Sequence, residues 1–159
     1  MKIEIDELIK QNTWNLTTLP NNRTPLRGKW VYKIKIDINN NIIKYKARWV
    51  VKGFNQVLGV DYLDTFSTTC RPESYRIIFI LAMQNGWKLY QYDVKNAFVH
   101  ADIDKEIYIE QPIGFEDYNK KDLIKLDYNK KIRLENPSPL KLICKLNKAL
   151  YGLKQSPRL

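Results

Sequence analysis

The sequence predicts an α+β domain built on an antiparallel hairpin, with helices set beside short strands. Three observations carry this expectation. WVYKIKIDI and IKYKARWVVK each alternate apolar and charged residues with a period of two, on either side of a run of asparagines. ESYRIIFILAMQN follows Pro72, is apolar over a helical length and stops at Gly86. EIYIEQ alternates again and is closed by Pro112 and Gly114.

The elements follow in order. Ile3 to Gln11 reads as a short amphipathic helix with Ile5, Leu8 and Ile9 on one side. NTWNLTTLPNNRTPLRG is rich in Asn, Thr and Pro and reads as a loop. A two-residue turn at Asn39-Asn40 would then pair Ile36 with Ile43, Ile34 with Tyr45, Tyr32 with Ala47 and Trp30 with Trp49. That register also sets Lys35 opposite Lys44 and Lys33 opposite Lys46, which is unfavourable between like charges. A face carrying these lysines with Arg48 and Lys52 is explained by a bound anion, or by a solvated surface kept for solubility and edge protection.

Gly53 and Gly59 mark turns before the helix that opens at Pro72. In that helix Ile77, Ile80 and Leu81, with Ile78 beside them, are expected to face the core. Trp87 to Val94 is expected to be a strand that reaches Asp93 at its end. Glu106 to Gln111 is another strand. Residues 116–141 are polar, irregular and rich in Lys and Asp, and read as an inserted loop. Leu142 to Leu146 reads as a short buried strand. NKALYGLKQSPRL opens as a turn or helix start, and a chain ending directly after it is expected to be cut short.

The 159 residues suit one domain, or part of a larger one. A hydrophobic share of 44% with 12% aromatic residues indicates a packed globule rather than a disordered chain. Twenty-seven Lys and Arg against 17 acids give a net charge of +10, which favours polyanionic partners. Cys70 and Cys144 lack zinc-site spacing, and so few cysteines argue against a structural disulfide, so a reducing intracellular setting is expected. No secretion signal and no membrane span are expected, and no internal repeat is visible.

Asp93 is the acid of most interest. A carboxylate at a strand end is well directed for a metal, and magnesium takes one or two carboxylates plus substrate phosphates. The plainer reading is an acid that caps the following turn. Asp61 with Asp64, and Asp102 with Asp104, read as turn acids. His100, the only histidine, reads as a turn or packing residue.

WVYKIK, KYKARWVVKGFNQ, GVDYLDTF, RPESYR, YDVKNAFVH, EIYIEQPIGF and LNKALYGLKQSPR occur in one order. Together they resemble the reverse transcriptase domain of copia-type retrotransposons, from about Trp14 to Arg158. The resemblance implies the right-hand polymerase fold, with fingers over about 14–85 and the start of the palm over 86–115. The loop over 116–141 would be an insertion, and 142–159 would return to the palm. It implies RNA-directed DNA polymerase activity with two magnesium ions (Mg2+). Its partners would be an RNA or DNA template with primer, deoxynucleoside triphosphates (dNTP) and the rest of a polyprotein. The setting would be cytoplasmic or within virus-like particles.

By the same resemblance, Asp93 is the first catalytic carboxylate, and the carbonyl of Val94 is a further metal ligand. Lys35 and Arg48 hold the triphosphate, with Lys33 and Lys46 as alternatives because the alignment across the turn can shift by a residue. Asn96 and Ala97 line the sugar and phosphate side. Phe98, five residues after Asp93, is the aromatic gate against a ribose 2′-hydroxyl; outside the family it would be an ordinary core aromatic. Tyr151 and Gly152 lie nearest the nucleotide, and Lys154, Gln155 and Ser156 lie toward template and primer.

The departures are Ser-Thr-Thr in FSTTCR where the family has Pro-Val, Trp49 where it has Leu, Ala101 where it has Gly, and the length of the polar loop. The family's Tyr-x-Asp-Asp hairpin is absent from the sequence. Asp93 alone should not organise two metals, so the isolated chain is expected to be inactive. A second reading is a non-catalytic nucleic-acid-binding relic of a decayed element. A third, an unrelated metal nuclease, would need carboxylates clustered around Asp93.

Overall fold

A computed structural model describes residues 1–116 and 142–159. The expected polar loop therefore lies outside the described residues except for Glu116. The described chain is mixed α and β, with two antiparallel sheets and two α-helices, as the sequence leads one to expect.

Helix α1 (Lys2–Lys10) buries Ile5 and Leu8, with Ile9 partly covered, so the expected apolar side is the packed side. It stops because Asn12 turns left-handed, and Thr13 then closes the end. The Thr13 backbone N–H and hydroxyl both donate to the Leu8 carbonyl, at 3.1 and 2.7 Å.

The stretch expected to be a loop contains strand β1 (Trp14–Thr17). Its partner is β5 (Ile143–Leu146), antiparallel, with Trp14 opposite Leu146 and Thr17 opposite Ile143. β4 (Tyr108–Ile109) flanks β5 on the other side, giving the order β1-β5-β4. Four residues with only Trp14 and Leu16 apolar are too short to announce a strand, and the partner is remote in sequence. The expected strand over Glu106 to Gln111 shrinks to β4 because only its middle finds a ladder.

β2 (Gly28–Ile36) and β3 (Ile42–Val51) form the hairpin. Trp30–Trp49, Tyr32–Ala47 and Ile34–Tyr45 pair as the alternation requires, and Lys33–Lys46 and Lys35–Lys44 face each other. The turn differs from the expected one. Ile36 pairs with Ile42 rather than Ile43, through an irregularity after Lys35. Asp37 is the reason: its carboxylate accepts from the backbone N–H groups of Asn39 and Asn41, both at 2.8 Å, and from the Asn41 side chain. This Asx cap favours a longer loop with Asn40 left-handed, at φ 63°.

The base of the hairpin joins the core. Trp49 and Val51 are buried beside Leu26, Ile107, Ile109, Leu150 and Leu153. Trp30 meets Trp49 edge-on at 5.3 Å and donates its indole N–H to the Ile113 carbonyl at 3.1 Å. The outer half of the hairpin stands in solvent, with Tyr32, Ile34, Ile36 and Tyr45 exposed.

Two expectations fail in the middle of the chain. Helix α2 (Pro72–Gln84) forms, but Ile77, Ile78, Ile80 and Leu81 are exposed and only Ala82 is buried. The helix is apolar on nearly every side, and no other described element packs broadly on it. Trp87 to Val94 forms no strand; its apolar residues are exposed and no described strand offers it a ladder. The segment from Asn147 onward forms turns, one of the two starts expected for it.

Asp61 and Asp64 are turn acids, as expected, whereas Asp102 and Asp104 are held in ion pairs with remote residues. The Asp61 carboxylate accepts from the Val57 N–H at 2.9 Å and meets Arg23 at 3.4 Å. Asp64 accepts from the Phe66 N–H at 2.9 Å. Asp102 pairs with Lys148, and Asp104 with Arg158. Both cysteines are free; Cys70 is exposed, and burial pushes the Cys144 thiol up to about 12. Among the described residues no helix is long and apolar enough to cross a membrane.

Candidate functional site

A cleft of about 370 Å³ opens between α1, β3 and the turn that carries Asp93. Successive side chains on a strand point to opposite faces, so Lys44, Lys46 and Arg48 share one side of β3 and all three reach the cleft. Glu4 and Glu7, three residues apart, share one side of α1 and face them. Asp93, Val94, Lys95 and Asn96 form a third wall, and Tyr151 lines the cleft as well.

Arg48 is the best-held cation. Its guanidinium lies 5.0 Å from the centre of the Tyr151 ring, and Tyr151 in turn meets Phe98 edge-on at 4.9 Å. This stack joins three segments that are far apart in sequence. The Nε of Arg48 is buried without a hydrogen-bond partner. An unpaired buried donor is unfavourable. Burial, then the neighbouring Arg48, hold the Lys46 ammonium below the usual lysine range.

The glycines explain how Tyr151 comes so close to β3. The Val51 N–H donates to the Tyr151 carbonyl at 2.8 Å. Gly152 has φ +92°, and a Cβ there would stand 2.0 Å from the Val51 carbonyl oxygen. Only glycine permits both the conformation and the approach.

The two acids of α1 are perturbed in opposite directions. Burial, reinforced by Glu7, raises the Glu4 carboxyl above its ordinary value, although Arg48 and Lys46 pull the other way. The Lys95 ammonium, bonded to Glu7, holds that carboxyl below its ordinary value, with help from Asn96. The Asn96 side chain donates to Glu7 at 2.8 Å. Asn96 itself is left-handed, at φ 53°, and opens a 3₁₀ turn (Ala97–His100) whose Val99 is buried. His100 contacts the Lys95 carbonyl at 3.1 Å, the turn role expected of it.

Of the residues singled out in the sequence, the cleft brings together Lys46, Arg48, Asp93, Val94, Asn96 and Tyr151. Phe98 joins them through Tyr151. Lys33 and Lys35 stand exposed on β2, across the ladder from Lys46 and Lys44, and do not line the cleft. Ala97 and Gly152 adjoin it. Lys154, Gln155 and Ser156 turn toward the protein. Gln155 is fully buried, donating to the Asp61 carbonyl at 2.9 Å and accepting from the Gln56 side chain at 2.9 Å. The buried Ser156 hydroxyl donates to the Leu150 carbonyl at 2.6 Å. The Lys154 ammonium lies 4.8 Å from the centre of the Tyr62 ring. Glu4, Glu7 and Lys95 were not anticipated; the i, i+3 spacing of the two glutamates beside Leu8 was the available signal.

Asp93 is exposed, and among the described residues no group of three His, Cys, Asp or Glu side chains could hold a metal. Asp93 and Val94 line the same cleft, and a carboxylate with a backbone carbonyl is oxygen chemistry of the kind magnesium takes alongside water and phosphate.

Residues 11–159 match the family described as Reverse transcriptase (RNA-dependent DNA polymerase). The chain is 42% identical over 158 residues to the retrovirus-related Pol polyprotein from transposon TNT 1-94 of Nicotiana tabacum, covering 99% of this chain and 10% of that protein. It is 35% identical over 159 residues to the retrovirus-related Pol polyprotein from transposon RE2 of Arabidopsis thaliana, again covering 99% of this chain and 10% of the relative. A truncated transposon Ty1-A Gag-Pol polyprotein of Saccharomyces cerevisiae is 29% identical over 161 residues, covering 96% of this chain and 11% of that protein. The chain thus spans about a tenth of the length of these relatives. No solved structure matches it.

Proposed function

Because the chain belongs to the reverse transcriptase family of copia-type retrotransposons, we propose that its cleft receives the triphosphate of a deoxynucleoside triphosphate during RNA-directed DNA synthesis. The observation that carries this reading is the convergence of Lys46, Arg48, Asp93, Asn96 and Tyr151 on one cleft. Residues 14–85 would serve as the fingers of a right-hand polymerase, and residues 86–115 and 142–159 as part of its palm. The polar residues 116–141 would be an insertion between them. Template, primer and the rest of a Pol polyprotein would be the partners.

Arg48 and Lys46 bind the triphosphate, with Lys33 and Lys35 raising the local positive potential from the adjacent strand. Asp93 and the Val94 carbonyl would hold Mg2+, which supplies charge neutralisation and activation of the primer hydroxyl when bound. Asn96 and Ala97 border the sugar. Phe98, braced by Tyr151, closes the sugar side and disfavours a 2′-hydroxyl. Gly152 lets the Tyr151 backbone approach β3. Lys154, Gln155 and Ser156 act through the loop they hold together, on the side toward template and primer.

Calorimetric titration of the chain with dNTP and magnesium tests the reading. Binding is expected, with Arg48→Ala weakening it by roughly ten-fold or more, the effect of losing a charge-assisted bond. Equal binding by Arg48→Ala would overturn the assignment. Among the described residues no carboxylate cluster able to hold two metals forms around Asp93, so the 159-residue chain alone is expected to leave a primer unextended. Steady extension would contradict that. The alternative of a nucleic-acid-binding relic draws on the exposed lysines of β2. It predicts duplex binding indifferent to dNTP, with log K falling by about 0.9 per phosphate contacted as log salt rises.

A further inference from the structure

The turn that carries Asp93 receives little support from its own neighbourhood. From Trp87 to Val94 the chain has no ladder, and its side chains are exposed. Among the described residues, two side-chain bonds tie residues 87–96 to a remote element and both end on Glu7, while His100 of the adjoining 3₁₀ turn reaches the Lys95 carbonyl locally. The Lys95 ammonium bonds one carboxylate oxygen of Glu7, and the Asn96 amide donates to the other at 2.8 Å. Glu7 stands on a helix that is itself fixed, because Ile5 and Leu8 on either side of it are buried in the core. A carboxylate accepting two charged or polar donors in this way constrains both the distance and the direction of the turn it holds.

We propose that Glu7 is a positioning residue: through Lys95 and Asn96 it sets where Asp93 stands across the cleft from Lys46 and Arg48. Glu7 also neutralises Lys95, leaving Lys44, Lys46 and Arg48 as the cations that face a ligand. The inference rests on the proposed function only for its effect on nucleotide binding; the placement of Asp93 stands apart from it.

The test has two arms in a Cys70→Ser background. In the first, nitroxide labels at Tyr92→Cys and Ile43→Cys, both exposed positions, report the distance across the cleft by electron double resonance. A single narrow distance is expected with Glu7 present. Glu7→Ala should lose it to a broad distribution, and Glu7→Gln, which keeps one acceptor, should retain part of it. Lys95→Met with Asn96→Ala should reproduce Glu7→Ala from the other side of the contact. It should add nothing when combined with Glu7→Ala, whereas a merely structural residue would give additive losses. This pair also decides the matter if Glu7→Ala fails to fold. An unchanged narrow distance in folded Glu7→Ala overturns the proposal.

The second arm titrates dNTP with magnesium. Glu7→Ala should weaken binding by roughly three-fold, the scale of one partly exposed ion pair, with Glu7→Gln in between. If the parent chain binds no nucleotide, the proposed function falls while the distance arm still decides the role of Glu7.

Discussion

Two apolar regions of this chain look alike in sequence and behave oppositely in the fold. Ile107, Ile109, Cys144 and Leu150 are completely buried. They belong to runs of only a few residues, and their cover comes from α1, β1 and the base of the hairpin. Helix α2 carries a longer and more apolar run, yet Ile77 and Ile80 are 58% and 56% exposed. Hydrophobicity in a sequence reports that a surface needs cover. It does not say which segment supplies it, and the described residues supply it in one region and not the other.

The sharpest way to break that contrast is by truncation. Leu150→Ala should cost about 2–5 kcal/mol, because a fully buried leucine leaves a cavity among packed neighbours. Ile80→Ala should stay within about 0.5 kcal/mol. Urea denaturation of both variants gives the comparison, and similar losses would mean that α2 is covered in solution. A second contrast separates backbone conformation from close approach. Gly152→Ala meets both a left-handed φ and the Val51 carbonyl, and should cost about 2–3 kcal/mol. Gly59→Ala shares the positive φ but has nothing within 4 Å, and should cost about 1 kcal/mol. Equal losses would show that the approach of residue 152 to β3 contributes nothing.

The smallest effects are expected from the two acids of α1, and they have opposite signs. Glu7 is held below its ordinary value, so its contribution is present above the unfolded pKa and is lost as pH falls through the folded one. Glu4 is raised, so the fold prefers its protonated form. Its contribution is present below the unfolded pKa and is lost as pH rises through the folded one. Glu4→Gln should therefore stabilise the chain slightly at neutral pH, and Glu7→Gln should flatten the acid side of the stability profile. Thermal melts between pH 3 and 8 (a range set by carboxylate titration) would show both. Identical profiles for the two variants would mean the environments of the acids are not distinct.

The legible parts of the fold were those whose partner lay close in sequence. The hairpin register from Trp30–Trp49 to Lys35–Lys44 follows from alternation alone, because both strands are adjacent and each face has one character. Its turn was misread by one residue, since the Asp37 carboxylate, not the asparagine pair, decides the loop. β1 was missed because its partner is β5, at the other end of the chain. The strand expected at Trp87 to Val94 finds no ladder among the described residues. The same division holds for the cleft. Lys46 and Arg48 stood out as a basic face, and Asp93, Asn96 and Tyr151 came through ordered motifs. Glu4 and Glu7 did not, because nothing local reveals that a helix near residue 7 will lie against a turn near residue 95.

The pairing of β1 with β5 also sets an order of events during synthesis. When a ribosome has delivered the chain as far as residue 142, α1, the hairpin and α2 can form, but Trp14 and Leu26 still lack the strand that completes their sheet and core. Of the described elements, the central strand and the plug of Leu150 and Leu153 emerge after the others. Apolar surface on the earlier elements therefore stays open until residues 143–153 have emerged, and it closes through a long-range contact. Such closure is slow relative to local helix or hairpin formation, and it leaves an interval in which chaperone binding or aggregation competes with folding.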